Sequence, residues 1–383
     1  MKRIEALDST RLDYVDNLRW AMIALVVGLH TAVTYSHVGS WYFNAPGEPG
    51  PLVKMIFLVF EVHLQGFFMG FMFLLAGYFV PAAYDRKGFG RFLYDRWLRL
   101  GVPALVYMLA VHPLTGYFLL HWWDAGVDFP TAYAGFLRSG RWLSASGPMW
   151  FAIALLAFSA VYALCRLVVR GGTGPAGPSR PGFAGVAALG VAIGVIAYLV
   201  RMVWPIGTSY LNMQFCYFTQ YVVLFAVGVQ AYRRAWFQTL QRRLALGLFW
   251  GALVGSPIAT AVLLALMSDP GAVLKLLAGN GAWQSAVFAL WESLYCVAMC
   301  TGLLVLFRER LNVTGGVFSR FTASSFGVYM FHMPVLVAVT LALEATGWPP
   351  LGKFVLAWPV ALAGTFLLVE FGLRRVPGVR RFL

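Results

Sequence analysis

Charge is scarce in this chain, and acidic charge is scarcest. Only 11% of its 383 residues are Asp, Glu, Lys or Arg, with 15 acids against 29 bases, where soluble domains carry about 25%. With 60% hydrophobic residues and a mean hydropathy of +0.73, the chain cannot coat a water-soluble surface and belongs in lipid. Cysteine is sparse too. Cys165, Cys216, Cys296 and Cys300 all lie in or beside apolar runs. Cys296 and Cys300 share a helix face, but no His or Cys at metal-ligand spacing surrounds them, so they read as small packing residues and no metal is expected. The N-terminal stretch mixes acids with bases, and no small-residue cleavage site follows the first apolar run. No cleavable signal peptide is therefore expected, nor a soluble domain at either end. No inverted or parallel repeat of the transporter kind stands out.

What the chain has is long apolar runs. Ten can be marked, at Leu18–Ser36, Leu52–Val80, Leu100–Leu120, Met149–Val169, Phe183–Val200, Met213–Tyr232, Leu244–Met267, Trp283–Leu306, Phe321–Leu343 and Phe354–Phe371. Most are close to the roughly 20 residues that cross a hydrocarbon core. The expectation is an all-α integral membrane protein, a bundle of about ten transmembrane helices forming one domain over residues 1–383. The second run is long and carries Gly66, Gly70 and Gly77, so it is tilted, broken or partly outside the bilayer. The tenth is the weakest. The Gly- and Pro-rich stretch Gly171–Pro181 reads as a flexible connection.

A net charge of +14 raises nucleic acid as a partner, but the bases sit in short clusters between apolar runs, so no nucleic-acid partner is expected. Alternate segments hold Lys2, Arg3, Arg11 and Arg19; Arg86, Lys87, Arg91, Arg96 and Arg99; Arg166, Arg170 and Arg180; Arg233, Arg234, Arg242 and Arg243; Arg308, Arg310 and Arg320; and Arg374, Arg375, Arg380 and Arg381. The opposite set has Lys54, Arg138, Arg141, Arg201, Lys275 and Lys353. By the positive-inside rule both termini and the 171–181 loop are cytoplasmic, with the protein a multi-pass component of the inner (plasma) membrane. The longest segment on the other side runs from His121 to Pro148 and is rich in Trp.

Ionisable residues inside a span are costly and need a reason. Arg19 stands at the edge of the first span and His30 lies eleven residues on, a rotation of three turns plus roughly 20° and a rise of about 16 Å. Both side chains thus point one way, with His30 near mid-bilayer. In the ninth span, Ser325, Tyr329 and His332 fall at i, i+4 and i+7 on one helix face, and His332 is about as deep as His30. Two histidines at one level line a shared cavity or serve as interhelical hydrogen-bond glue; both readings stand on the residues alone. Pro334 is expected to kink this helix. Arg96 and Arg99, one turn apart before Pro103, suit a phosphate clamp and equally suit ordinary positive-inside flanking. Glu61, His63, His112 and Glu292 are further ionisable groups in apolar surroundings. Glu292 needs a His or Arg partner that the sequence alone does not name.

These residues resemble a known signature. Arg19 followed after ten residues by His30, on the first of ten spans, resembles the membrane-bound acyltransferase-3 family. Gln65 to Phe79 is similar to its Phe-rich segment, Asp95 to Pro103 to its Arg-x-x-Arg segment, Gly147 to Phe151 to its Trp-Phe segment, and Ser325 to Pro334 to its late Ser-aromatic-Gly-x-Tyr…His-x-Pro segment. The arrangement leans toward the branch that includes the glucan biosynthesis protein C type. Ala76 stands where the family has Ser, and no His precedes Trp150, so no role passes to either position. The resemblance implies a transferase that moves an acyl group, acetyl or succinyl foremost, from cytoplasmic acyl-CoA to a hydroxyl of a sugar, glycan or lipid-linked acceptor. Joined to the geometry, it assigns Arg19, Arg96 and Arg99 to the CoA phosphates. His30 becomes general base or acyl carrier, and His332, Tyr329 or Ser325 stabilise the oxyanion or orient the acceptor. Trp150, Glu61 and Glu292 meet the acceptor. The competing functions are a proton-coupled transporter or flippase, since intramembrane Glu and His serve that chemistry also, and a non-catalytic membrane partner.

Overall fold

A computed structural model describes residues 12–168, 177, 179–266, 275–313, 315–379 and 382. Among them, ten helices are long and apolar enough to cross a membrane: α1 (Asp13–Ser36), α2 (Pro51–Lys87), α3 (Phe89–Phe118), α4 (Gly147–Val168), α5 (Phe183–Val203), α6 (Phe215–Arg233), α7 (Arg242–Leu266), α8 (Trp283–Arg310), α9 (Gly316–Glu344) and α10 (Pro350–Arg375). Extended structure among the described residues amounts to one isolated bridge between Tyr210 and Met213. The protein is an all-α membrane bundle. Several helices outrun their apolar cores: α3 begins at Phe89 and α10 ends at Arg375, because the amphipathic turns outside the lipid simply continue the helix.

α2 is broken. Its limbs Pro51–Gln65 and Phe68–Lys87 meet at Gly66 and Phe67, where Phe67 leaves the helical region at φ −137°. A break inside lipid leaves carbonyls without helical partners, and these must be satisfied by neighbours. The Gly66 carbonyl accepts from Gln220 Nε2 of α6 at 2.9 Å. The second limb then lies against α6 at very short range. A Cβ on Gly77 would stand 2.2 Å from the Phe225 carbonyl oxygen, and one on Gly228 equally 2.2 Å from that of Leu74. Without a hydrophobic force between helices in lipid, such small-residue contacts supply the packing. α9 runs unbroken through Pro334.

The basic segments gather at one end of the bundle. Asp85 of α2 binds Arg166 of α4 at 3.0 Å and Arg233 of α6 at 3.1 Å. Arg308 of α8 donates to the carbonyls of Phe237, Gln238 and Leu240. Asn17 of α1 donates to the carbonyls of Leu311 and Val313. At the same end, Glu370 and Arg374 of α10 pair with each other and with Ser324 of α9. Gly171–Pro181 lies largely outside the described residues. Ser179 within it is pinned to this end, its hydroxyl accepting from Trp236 Nε1 and its carbonyl from Thr239, both at 2.7 Å. Arg11, Arg170, Arg380 and Arg381 lie outside the described residues.

Candidate active site

The far half of the bundle, away from the arginines, encloses a cavity of about 1270 Å³. Its mouth is made by connections: Val38 to Tyr42 after α1, Trp122 and Ser144 from the segment between α3 and α4, and Ile206 to Gln214 between α5 and α6. Its floor is helical, with His30 of α1, Gln65 and Met69 at the break in α2, Trp150 of α4, Tyr221 of α6 and Tyr329 of α9. The break in α2 is thus part of the floor.

His30 and His332 meet there. His30 Nδ1 lies 2.9 Å from His332 Nε2, with the rings parallel to within 3°. Trp41 stacks on the face of His30, centroids 3.8 Å apart. His332 is fully buried, and its Nδ1 sits 2.7 Å from the Tyr329 carbonyl. A carbonyl only accepts, so His332 Nδ1 carries a proton. With both imidazoles neutral, His332 Nε2 is then a lone pair that accepts from His30 Nδ1–H, leaving His30 Nε2 as the one basic nitrogen of the chain. The hydrogen bonds therefore assign the tautomers, and only the outer histidine borders the cavity. The Tyr329 hydroxyl donates to the Pro148 carbonyl, tying α9 to the turn that opens α4.

A second polar chain stands beside the first. The Tyr42 hydroxyl is 2.8 Å from His112 Nδ1 and 3.1 Å from the Tyr107 hydroxyl. Burial pushes the Tyr42 phenol above its ordinary range, so it remains a neutral hydroxyl able to donate. Gly147 makes this approach possible. Its φ is +47°, and a Cβ there would sit 2.3 Å from the Tyr42 hydroxyl oxygen. Elsewhere in the wall, Ser36 of α1 donates to Glu61 of α2 at 2.6 Å. Glu292 of α8 pairs with Arg201 of α5, both almost fully buried, and Arg201 lies 5.5 Å from the ring centroids of Tyr217 and Phe288.

The other expected residues fall as follows. Trp150, Glu61 and Glu292 border the cavity. Ser325 does not join the histidines. Its hydroxyl turns back to the Thr322 carbonyl at 2.8 Å, about 10 Å along α9 from His332 at seven residues of helical rise. Arg19 binds Asp16 at 3.2 Å and covers the Phe79 ring at 4.5 Å. Arg96 lies over Phe92 and within electrostatic reach of Arg19 and Arg99. None of the three arginines borders the cavity. Between them and His30 lies part of the main core, with Met22 of α1 and Phe73 of α2. Sequence reasoning passed over Trp41 and Tyr42, whose only signal is an aromatic pair in the short connection between the first two spans.

A helical membrane bundle with an oriented imidazole pair under a large cavity, and clustered arginines at its other end, is a polytopic protein equipped for acid–base chemistry inside the bilayer. The family model Acyl_transf_3, described as an acyltransferase domain, matches residues 12–370. The chain belongs to the acyltransferase-3 family and is a membrane acyltransferase. No curated protein and no solved structure matches it.

Proposed function

We propose that the protein transfers an acyl group, acetyl or succinyl foremost, from acyl-CoA to a hydroxyl of a sugar, glycan or glycolipid. His30 is the general base. The observation that carries this reading is the relay from the Tyr329 carbonyl through His332 to His30, which presents an oriented basic nitrogen at a cavity large enough for a sugar-sized acceptor. A neutral imidazole with a free ring nitrogen accepts the proton of a hydroxyl brought against it. The acceptor oxygen attacks the thioester carbonyl, the carbon–sulfur bond breaks, and the leaving thiolate takes the proton from the imidazolium. Tyr42, a neutral donor close by, is placed to hold the oxyanion. Aromatic faces at Trp41, Trp122 and Trp150, with the carboxyl groups of Glu61 and Glu292, suit a polyhydroxyl acceptor. By the positive-inside rule the arginine end is cytoplasmic, so the donor arrives from there and the acceptor from the cavity.

The test is mass spectrometry of envelope glycans and glycolipids from cells with and without the gene, followed by transfer from acetyl-CoA or succinyl-CoA by purified protein. A gene-dependent mass difference reproduced with one donor supports the reading. Unchanged masses, with movement of a solute across vesicles instead, overturn it in favour of a transporter. The arginines carry a separate expectation. Arg19→Ala and Arg96→Ala raise the KM for acyl-CoA by about tenfold or more, since charge-assisted phosphate contacts contribute roughly 1.5–3 kcal/mol each. The acceptor KM stays near its original value. Steady-state kinetics with each substrate varied in turn checks this, and an unaltered donor KM removes the phosphate role.

A further inference from the structure

The cavity has a side as well as a mouth. In its first turns α7 is packed hard on α8: a Cβ on Gly302 would meet the Phe249 Cβ at 2.2 Å, and Ala245 and Phe249 are buried. Past the π-turn at Gly251–Gly255 the two helices part. Trp291 Nε1 donates to Ser256 Oγ at 2.9 Å, and His63 of α2 reaches the same hydroxyl, also at 2.9 Å. Beyond this tie, among the described residues, Ser256–Leu266 keeps its close packing with the first limb of α2 while its packing with α8 falls away. Ser256 is thus the apex of a V whose arms are α7 and α8.

Both arms are mainly apolar, with Thr260 the polar exception among the cavity-lining residues of α7. Ala259, Leu263 and Leu264 on one and Val287 and Phe288 on the other border the cavity. Leu263 and Val287 are also 55% and 57% exposed, so they form a rim shared by cavity and outer surface. The arm from Ser256 to Leu266 rises about 15 Å, half the roughly 30 Å hydrocarbon core. The V therefore spans one leaflet, on the side away from the arginines. Polar groups collect on the floor and at the mouth, where His30, Tyr42, Glu61 and Glu292 stand, and the flank facing lipid is hydrocarbon.

We propose that this V is a lateral portal for the aliphatic tail of a lipid-anchored acceptor whose polar head stands at His30. The inference rests on the acyltransferase reading and narrows its acceptor to an amphiphile. A water-soluble acceptor needs only the mouth. An opening in the flank sets cavity water against lipid tails, an unfavourable contact that a chain lying in the cleft removes. A head in the polar part and a tail leaving sideways match the distribution of polar and apolar lining.

The experiment uses the full chain in phospholipid nanodiscs with a long-chain alkyl glucoside bearing a diazirine on the alkyl chain. After irradiation, peptide mass spectrometry locates the label. The expected result is label concentrated on Ala259 to Leu264 and Val287 to Trp291, reduced several-fold in Leu263→Trp and Val287→Trp and kept in His30→Ala. Label spread evenly over lipid-facing stretches such as α5 and α10, or unchanged by both tryptophan variants, overturns the portal. His30→Ala makes the two proposals separable: label at the portal with acyl transfer intact in that variant sinks the catalytic reading alone. Diffuse label with His30-dependent transfer sinks the portal alone.

Discussion

His30→Ala lowers the turnover of acyl transfer by about 10²–10⁴-fold, the range a positioned general base contributes, while the protein still inserts and folds. His30 borders a cavity and, among the described residues, its ring joins another span through the bond to His332, so the loss falls on kcat and leaves the donor KM near its original value. His332 acts at one remove. His332→Leu deletes the acceptor that holds His30 Nδ1–H, freeing the ring to turn and to change tautomer, and kcat falls toward the level of His30→Ala. His332→Gln offers a carbonyl to His30 and an N–H to the Tyr329 carbonyl, and recovers part of the loss. Rates of the purified variants across pH check the set. Near-normal turnover in His30→Ala removes that residue from the mechanism, and His332→Leu and His332→Gln failing alike removes the relay.

The second large effect is on stability. Arg201 and Glu292 are 1% and 5% exposed and are each other's partner. Breaking a buried ion pair from one side leaves a bare charge and costs about 3–5 kcal/mol, whereas an apolar replacement of both is often neutral. Arg201→Met is therefore expected to lose most of its folded, monodisperse fraction in detergent, and Arg201→Met/Glu292→Leu to regain it. Thermal unfolding followed by size-exclusion profiles measures both. A single variant as stable as the parent would show that the pair carries little of the fold. The double variant also asks a functional question. Glu292 borders the cavity, so a stable double variant with a raised acceptor KM marks that carboxylate as a substrate contact.

The sequence goes far with whatever repeats along one helix. Apolar runs mark the ten spans, Gly66 marks the place where α2 breaks, and eleven residues of helical rise from each span's basic edge put His30 and His332 at one depth. Relations between helices are another matter. Nothing in the chain names Arg201 as the partner of Glu292, because α5 and α8 are brought together by Gly190 and Gly194 packing against Leu294 and Leu290, a fit of surfaces rather than a pattern. Ser325 is a case of another kind. Its spacing aligns it with Tyr329 and His332, but a helical serine has a carbonyl of its own preceding turn within reach and takes it. Trp41 and Tyr42 lie in a connection with no period to read, and folding alone places one ring on His30 and the other against His112.

The packed layer between the arginines and the cavity floor has a consequence for the cell. An energised membrane stores about 2.3 kcal/mol per elementary charge for each 100 mV across it, and a water column joining the two faces would discharge that store. Among the described residues, buried Met22 and Phe73 stand between the chamber floor and the cationic rim, and the donor's acyl arm has to part that packing to reach His30. The septum lets a bilayer enzyme keep a deep chamber open on one face without becoming a leak.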